Sequence, residues 1–204
     1  MLRGSLSSRL LEDAVESFAS LPGIGRKTAL RLALHVMGEP RENVEHAAAA
    51  FLSLKDNIRY CPACAMVSDD GLCPFCTDLR RDHSTICVVE SLRDVISIEN
   101  TGQYKGLYHI LGGIISPMDG IGPSDLRIGE LVGRLRVEPV REVILALSTS
   151  MEGETTSFYI YKQISSFDIT VSAIARGVGF GDDLEYTDEL TLGRSIEGRQ
   201  LFKP

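Results

Sequence analysis

A chain of 204 residues with 44% hydrophobic and 24% charged residues has an ordinary globular composition, long enough for one large domain or a few small ones. No run approaches the ~18 apolar residues of a membrane span, and Met1 to Ser8 is too short and too poor in apolar residues for a secretion signal, so a cytoplasmic protein is expected. The net charge of −7 argues against a uniformly basic nucleic-acid binder. Residues 1–59, however, carry a net +1 and the remainder −8, so a local basic patch is permitted only near the start.

The apolar residues Leu11, Val15 and Phe18 recur at helical spacing between Leu10 and Leu21. Leu21-Pro22-Gly23-Ile24-Gly25-Arg26-Lys27-Thr28 follows. Its glycines favour a tight hairpin, and the next helix opens with unpaired backbone N–H groups that can hold a phosphate. Arg26, Lys27 and Arg31 stand in the first two turns, with Lys27 and Arg31 four apart on one face, while Leu30, Ala33, Leu34 and Met37 are expected on the core side. The pattern is that of helix–hairpin–helix DNA binding; the alternative is an αα-turn whose glycines only cap a helix. A third helix is expected from Val44 to about Lys55, with Phe51, Leu52 and Leu54 providing packing.

Four of the five cysteines lie in Tyr60–Cys76, at Cys61, Cys64, Cys73 and Cys76. The spacing C-x2-C, eight residues, C-x2-C lets two tight knuckles supply four sulfurs to a tetrahedral structural Zn2+, leaving no position for a catalytic water. Disulfides, or four unrelated core cysteines, are the alternative reading. Cys87, in the apolar run Ile-Cys-Val-Val, is expected to be a buried thiol.

Beyond residue 80 the pattern changes to short apolar strands alternating with helices. Strands are expected at 85–90, 106–111, 141–147 and 169–174, and helices at about 92–100, 126–136 and 153–165. Such alternation implies an α/β domain with a mainly parallel sheet. A short helix is expected from Thr187 to about Gly198, then a tail to Pro204. Glu90 at a strand end is similar in placement to the glutamate of Toprim domains, which works with an Asp-x-Asp after a later strand to run Mg2+-dependent phosphodiester chemistry. Here that later position reads Ser148-Thr149-Ser150, and hydroxyls bind Mg2+ poorly. Glu152 and Glu154 could compensate in principle, but a scaffold without catalysis is the preferred reading. The segment 111–123 lacks the Gly-Lys-Ser/Thr of a P-loop. Gly177-Val178-Gly179-Phe180-Gly181 leads into acidic residues that would repel a pyrophosphate, so a shaped loop is preferred over a dinucleotide site.

In order, L-P-G-I-G-R-K at 21–27, the four cysteines, V-V-E at 88–90, G-x-Y-x-G-L-Y-H-x-L-G-G at 102–113, S-P-x-D-G-I-G-P at 116–123, E-G-E at 152–154 and A-R-G-V-G-F-G-D-D-L-E-Y at 175–186 resemble the bacterial recombination mediator family RecR. Ser148-Thr149-Ser150 and Gly179 depart from its usual pattern. The expected fold class is α+β and multi-module: a helix–hairpin–helix region (1–59), a four-Cys zinc module (60–77), a Toprim-like α/β domain (78–174) and a C-terminal assembly segment (175–204). The resemblance implies a non-enzymatic DNA clamp and adaptor of recombinational repair. It would act with RecO and RecF to help load RecA on gapped or single-stranded DNA, would assemble as a dimer or tetrameric ring, and would associate with the nucleoid. It places DNA contacts on Lys27 and Arg31 with Arg26 beside them, and zinc on the four cysteines.

Overall fold

Ser8 starts the first helix. Its Oγ accepts the Leu11 amide at 3.4 Å, which satisfies one of the orphan N–H groups of a helix start. In this computed structural model, which describes residues 8–175, 177–179 and 181–199, α1 spans Arg9–Ala19. It ends in a turn where Gly23 has φ +77°, a left-handed conformation that suits glycine. Helix α2 (Arg26–Gly38) packs on α1 through buried Val15, Ala29 and Ala33, ringed by Leu11, Phe18, Ile24 and Leu30. Ala29 and Ala33 share a face, and their small side chains let the helices approach closely.

Leu34 and Met37, expected on this core side, are 45% and 73% exposed. One residue turns a helix by about 100°, so Leu34 rotates off the Ala33 face, and Met37 lies a turn beyond the last contact. Helix α3 (Arg41–Asn57) begins three residues before the expected Val44. Pro40, with its fixed φ, stands at the cap position and initiates it. The packing expected of Phe51, Leu52 and Leu54 is not found: they are 72%, 65% and 61% exposed, and α3 buries none of its residues.

The chain divides into two compact units between Ile58 and Arg59. The second begins with the antiparallel pair β1 (Arg59–Tyr60) and β2 (Val67–Ser68) and the short helix α4 (Pro74–Thr77). Strands β3 (Asp82–Val89), β4 (Gly106–Ile110), β5 (Glu142–Ala146) and β6 (Thr170–Ala173) then form a parallel sheet in the order β4-β3-β5-β6. Helices α5 (Leu92–Asn100), α6 (Ile128–Leu135) and α7 (Met151–Ile164) make the crossovers.

The strands read as nearly continuous apolar runs because both faces are covered. Ile86, Val88, Leu107, Val143 and Leu145 pack with Leu131 of α6 and Ile160 and Ile164 of α7. Cys87, Val89, Tyr108, Ile110 and Ala146 belong to a second cluster with Val95 of α5. That cluster also holds Cys61, Cys64, Met66 and Cys73. The cysteine segment is thus part of the layer covering this cluster's side of the sheet rather than a body of its own. So short a segment cannot enclose a core, and it uses that of the sheet.

Helix α8 (Glu189–Glu197) starts at Asp188, whose carboxylate accepts the Thr191 amide at 2.9 Å. Of the tail expected from Arg199, residues 200–204 lie outside the described residues, as do the opening residues 1–7, Arg176 and Phe180 of the glycine loop. Among the described residues no helix is long and apolar enough to cross a membrane.

Candidate nucleic-acid interface and metal centre

The α1–α2 turn leaves the start of α2 open. Gly25 is its cap residue and provides no side-chain acceptor, so the first-turn amides point outward with the positive end of the helix dipole behind them. Arg26, Lys27 and Arg31 are all exposed, but they are not equivalent. Arg26 is engaged by the Glu12 carboxylate of α1, a pairing that no sequence signal distinguished from an ordinary surface glutamate. Lys27 and Arg31 have no ion-pair partner among the described residues, so two cations stand one turn apart beside a set of free amides. This arrangement suits the phosphate backbone, which carries no sequence information.

The cysteine knuckles are built by local hydrogen bonds. The Cys61 amide donates to Met66 O at 2.7 Å and the Ala65 amide to Cys61 O at 2.9 Å. This bend holds Ala65 at φ +64°, a conformation that costs a non-glycine residue about 1 kcal/mol. The Ile110 amide of β4 donates to Cys64 O at 2.9 Å, tying the first knuckle to the sheet. Cys64 Sγ lies 3.4 Å from Cys73 Sγ, and Cys61 Sγ 3.9 Å from Cys76 Sγ; all four sulfurs are within 4.8 Å of one another.

A tetrahedron with metal–sulfur bonds of about 2.3 Å has sulfurs about 3.8 Å apart, so this set fits a metal ion. Its protonation points the same way. A hydrogen bond from Cys64 holds the Cys73 thiol far below the usual range, and the same contact pushes Cys64 up. Metal-bound cysteines are thiolates, so a bound dication would offset the charge that four sulfurs this close together would carry.

The Toprim-like crevice sits where the sheet order reverses. The connection leaving β3 runs to β4 on one side, and that leaving β5 runs to β6 on the other. Loops at the carboxyl ends of such strands form a cleft. Glu90 and Ser148-Thr149-Ser150 meet there: the Ser148 amide donates to Glu90 Oε1 at 2.6 Å. Ser150 Oγ accepts the Gly153 amide at 3.1 Å and caps α7. Glu90 is thus committed to a backbone amide. Glu154 lies 4.0 Å from Arg194 of α8. Among the described residues the glutamates form no convergent metal-ligand group; the four cysteines do.

His109, which no local pattern singles out, is fully buried on β4. Its Nε2 lies 2.9 Å from Arg127 O, and burial pushes the ring pKa down to about 4. Nearby, buried Arg134 donates to Tyr108 O at 2.7 Å and to Glu138 at 2.8 Å.

Comparison with known proteins follows the same order along the chain. Residues 11–53 match the RecR helix-hairpin-helix family, 84–175 the Toprim domain and 177–200 the RecR C-terminal family. The Recombination protein RecR of Porphyromonas gingivalis (strain ATCC 33277) is 58% identical over 96% of this chain and 94% of its own length. That of Parabacteroides distasonis is 56% identical over 96% and 94%, and that of Flavobacterium johnsoniae 53% over 97% and 96%. With more than half the residues shared along nearly its full length, the chain belongs to the RecR family of recombination proteins.

Proposed function

We propose that the protein is a DNA-binding clamp and adaptor of recombinational repair, without catalytic activity of its own. It would act with RecO and RecF to help load RecA on gapped or single-stranded DNA at the nucleoid. The carrying observation is the start of α2, where Lys27 and Arg31 stand exposed and unpaired beside first-turn amides. Arg26, tied to Glu12, plays the smaller part. Zn2+ on Cys61, Cys64, Cys73 and Cys76 holds the covering layer of the sheet together. The four expected modules (1–59, 60–77, 78–174 and 175–204) divide these roles among DNA contact, metal, partner docking and assembly. Self-association to a dimer or tetrameric ring is supported by the apolar residues that one chain leaves open on α2 and α3, among them Met37, Phe51, Leu52 and Leu54. A ring also lets a few weak cationic patches act together on one DNA.

Each phosphate contact on duplex DNA releases counterions worth about 0.9 in the slope of log affinity against log salt. Lys27→Ala and Arg31→Ala should each weaken binding for every sequence alike and flatten that slope by about one. Unchanged slopes in both would remove the assignment. Glu90 raises the second reading, a Mg2+-dependent phosphodiester enzyme. Its commitment to the Ser148 amide, and the lack of an aspartate pair at 148–150, support the non-catalytic reading. Strand cleavage or synthesis that needs Mg2+ and disappears in Glu90→Gln would reverse that choice.

A further inference from the structure

The four cysteines are not equally sheltered. Cys61, Cys64 and Cys73 are fully buried. Cys76 is partly exposed and lines a cavity of 240 Å3 with Ala63, Leu72, His83, Arg134 and Glu138. A water occupies about 30 Å3 in the liquid, so hydrogen peroxide fits with room to spare. Arg134 and Glu138 pair in the wall at 2.8 Å and cancel each other's charge, which suits a neutral oxidant better than an anionic one. We propose that Cys76 is the oxidation-sensitive ligand of the metal centre, attacked first by a peroxide entering this cavity and then joined to Cys61. The proposal rests on the zinc reading above and adds a redox response to it.

The chemistry closes without a further reagent. Cys76 Sγ attacks one peroxide oxygen; the S–O bond forms, the O–O bond breaks, and hydroxide leaves. Sulfur loses two electrons and peroxide gains them. Cys61 Sγ, 3.9 Å away, then attacks the Cys76 sulfur, forming S–S as a second hydroxide leaves. Two protons taken up from the buffered solution turn the two hydroxides into water, so the sum is two thiolates, one peroxide and two protons giving one disulfide and two waters. Cys64 and Cys73 remain, and two thiolates cannot close a four-coordinate site. Phe75, adjacent to Cys76, packs edge-on to Tyr108 with centroids 5.7 Å apart, so the opening is transmitted to the sheet through this contact.

The test begins with metal analysis of the intact purified chain. A brief hydrogen peroxide pulse with dimedone should label Cys76 ahead of the other three ligands. Without dimedone it should yield a Cys61–Cys76 disulfide by peptide mapping and release one zinc per chain, both reversed by a thiol reductant plus zinc. Leu72→Trp, which adds bulk to the cavity lining from a half-exposed position and leaves all four cysteines in place, should slow both labelling and release. Label appearing first on Cys61, Cys64 or Cys73, or an unchanged rate in Leu72→Trp, overturns the proposal. A chain purified without metal overturns the zinc reading alone, since the order of labelling still decides whether the cavity directs oxidation.

Discussion

Gly153 and Gly133 both lie inside helices of the second unit, and alanine should have opposite effects at the two. A Cβ on Gly153 would stand 2.2 Å from the carbonyl oxygen of Ser148, 2.5 Å from its Oγ and 2.9 Å from its carbonyl carbon. Heavy atoms normally meet at about 3.5 Å, and the nearest atom is backbone, so α7 must retreat from the end of β5. Overpacking of this kind costs about 1–3 kcal/mol. Disturbing the Ser150 cap adds about 1 kcal/mol, and the better helix propensity of alanine returns about 1 kcal/mol. The net is a loss of about 2 kcal/mol. At Gly133 nothing lies within 4 Å of the added carbon, so propensity acts alone and Gly133→Ala gains about 0.5–1 kcal/mol. Urea unfolding at one fixed protein concentration should show the two midpoints moving apart at constant m. A Gly153→Ala midpoint at or above that of the parent would refute the steric account of the β5–α7 junction.

Three further outcomes follow from buried groups. The ordinary histidine pKa is about 6.5, and burial lowers that of His109 to about 4. Between these values the unfolded chain binds a proton that the folded chain refuses, so stability falls as pH drops through this window, by up to about 3 kcal/mol. The His109 ring signals in NMR should remain those of neutral imidazole at pH 5; a midpoint near 6.5 would contradict the buried placement. Thr156, fully buried, accepts the Ile115 amide at 2.9 Å and donates to Glu152 O at 2.7 Å. Thr156→Val keeps the shape but strands that amide, and thermal or urea denaturation should register a loss of about 1–3 kcal/mol. Removing metal with a strong chelator should change tyrosine emission, which no tryptophan obscures, because Phe75 and the cysteines share a core with Tyr108; emission that stays constant while metal leaves would show the two to be uncoupled.

Local chemistry was readable wherever it is written in neighbouring residues. The strands at 85–90 and 141–147, the glycine hairpin and the cysteine spacing 61–64–73–76 depend on patterns a few residues long, and the structure has the strands and the hairpin within a few residues and the four sulfurs clustered. Leu34, Met37, Phe51, Leu52 and Leu54 were misjudged because helical spacing predicts an apolar face without specifying what covers it. No local pattern encodes the pairing of Arg26 with Glu12, because 14 residues separate them.

Composition and periodicity alone determined that this chain carries a cationic hairpin, a four-sulfur site and a parallel α/β sheet, since each arises from side chains that act over a turn or a strand. Only the tertiary structure decided that the sulfur site is built into a face of that sheet, that Glu90 is held by the Ser148 amide, and that Cys76 alone of the four clustered cysteines is not buried. Those facts depend on residues far apart in the chain being brought within a few ångströms, and no local pattern encodes which distant partner a side chain will meet.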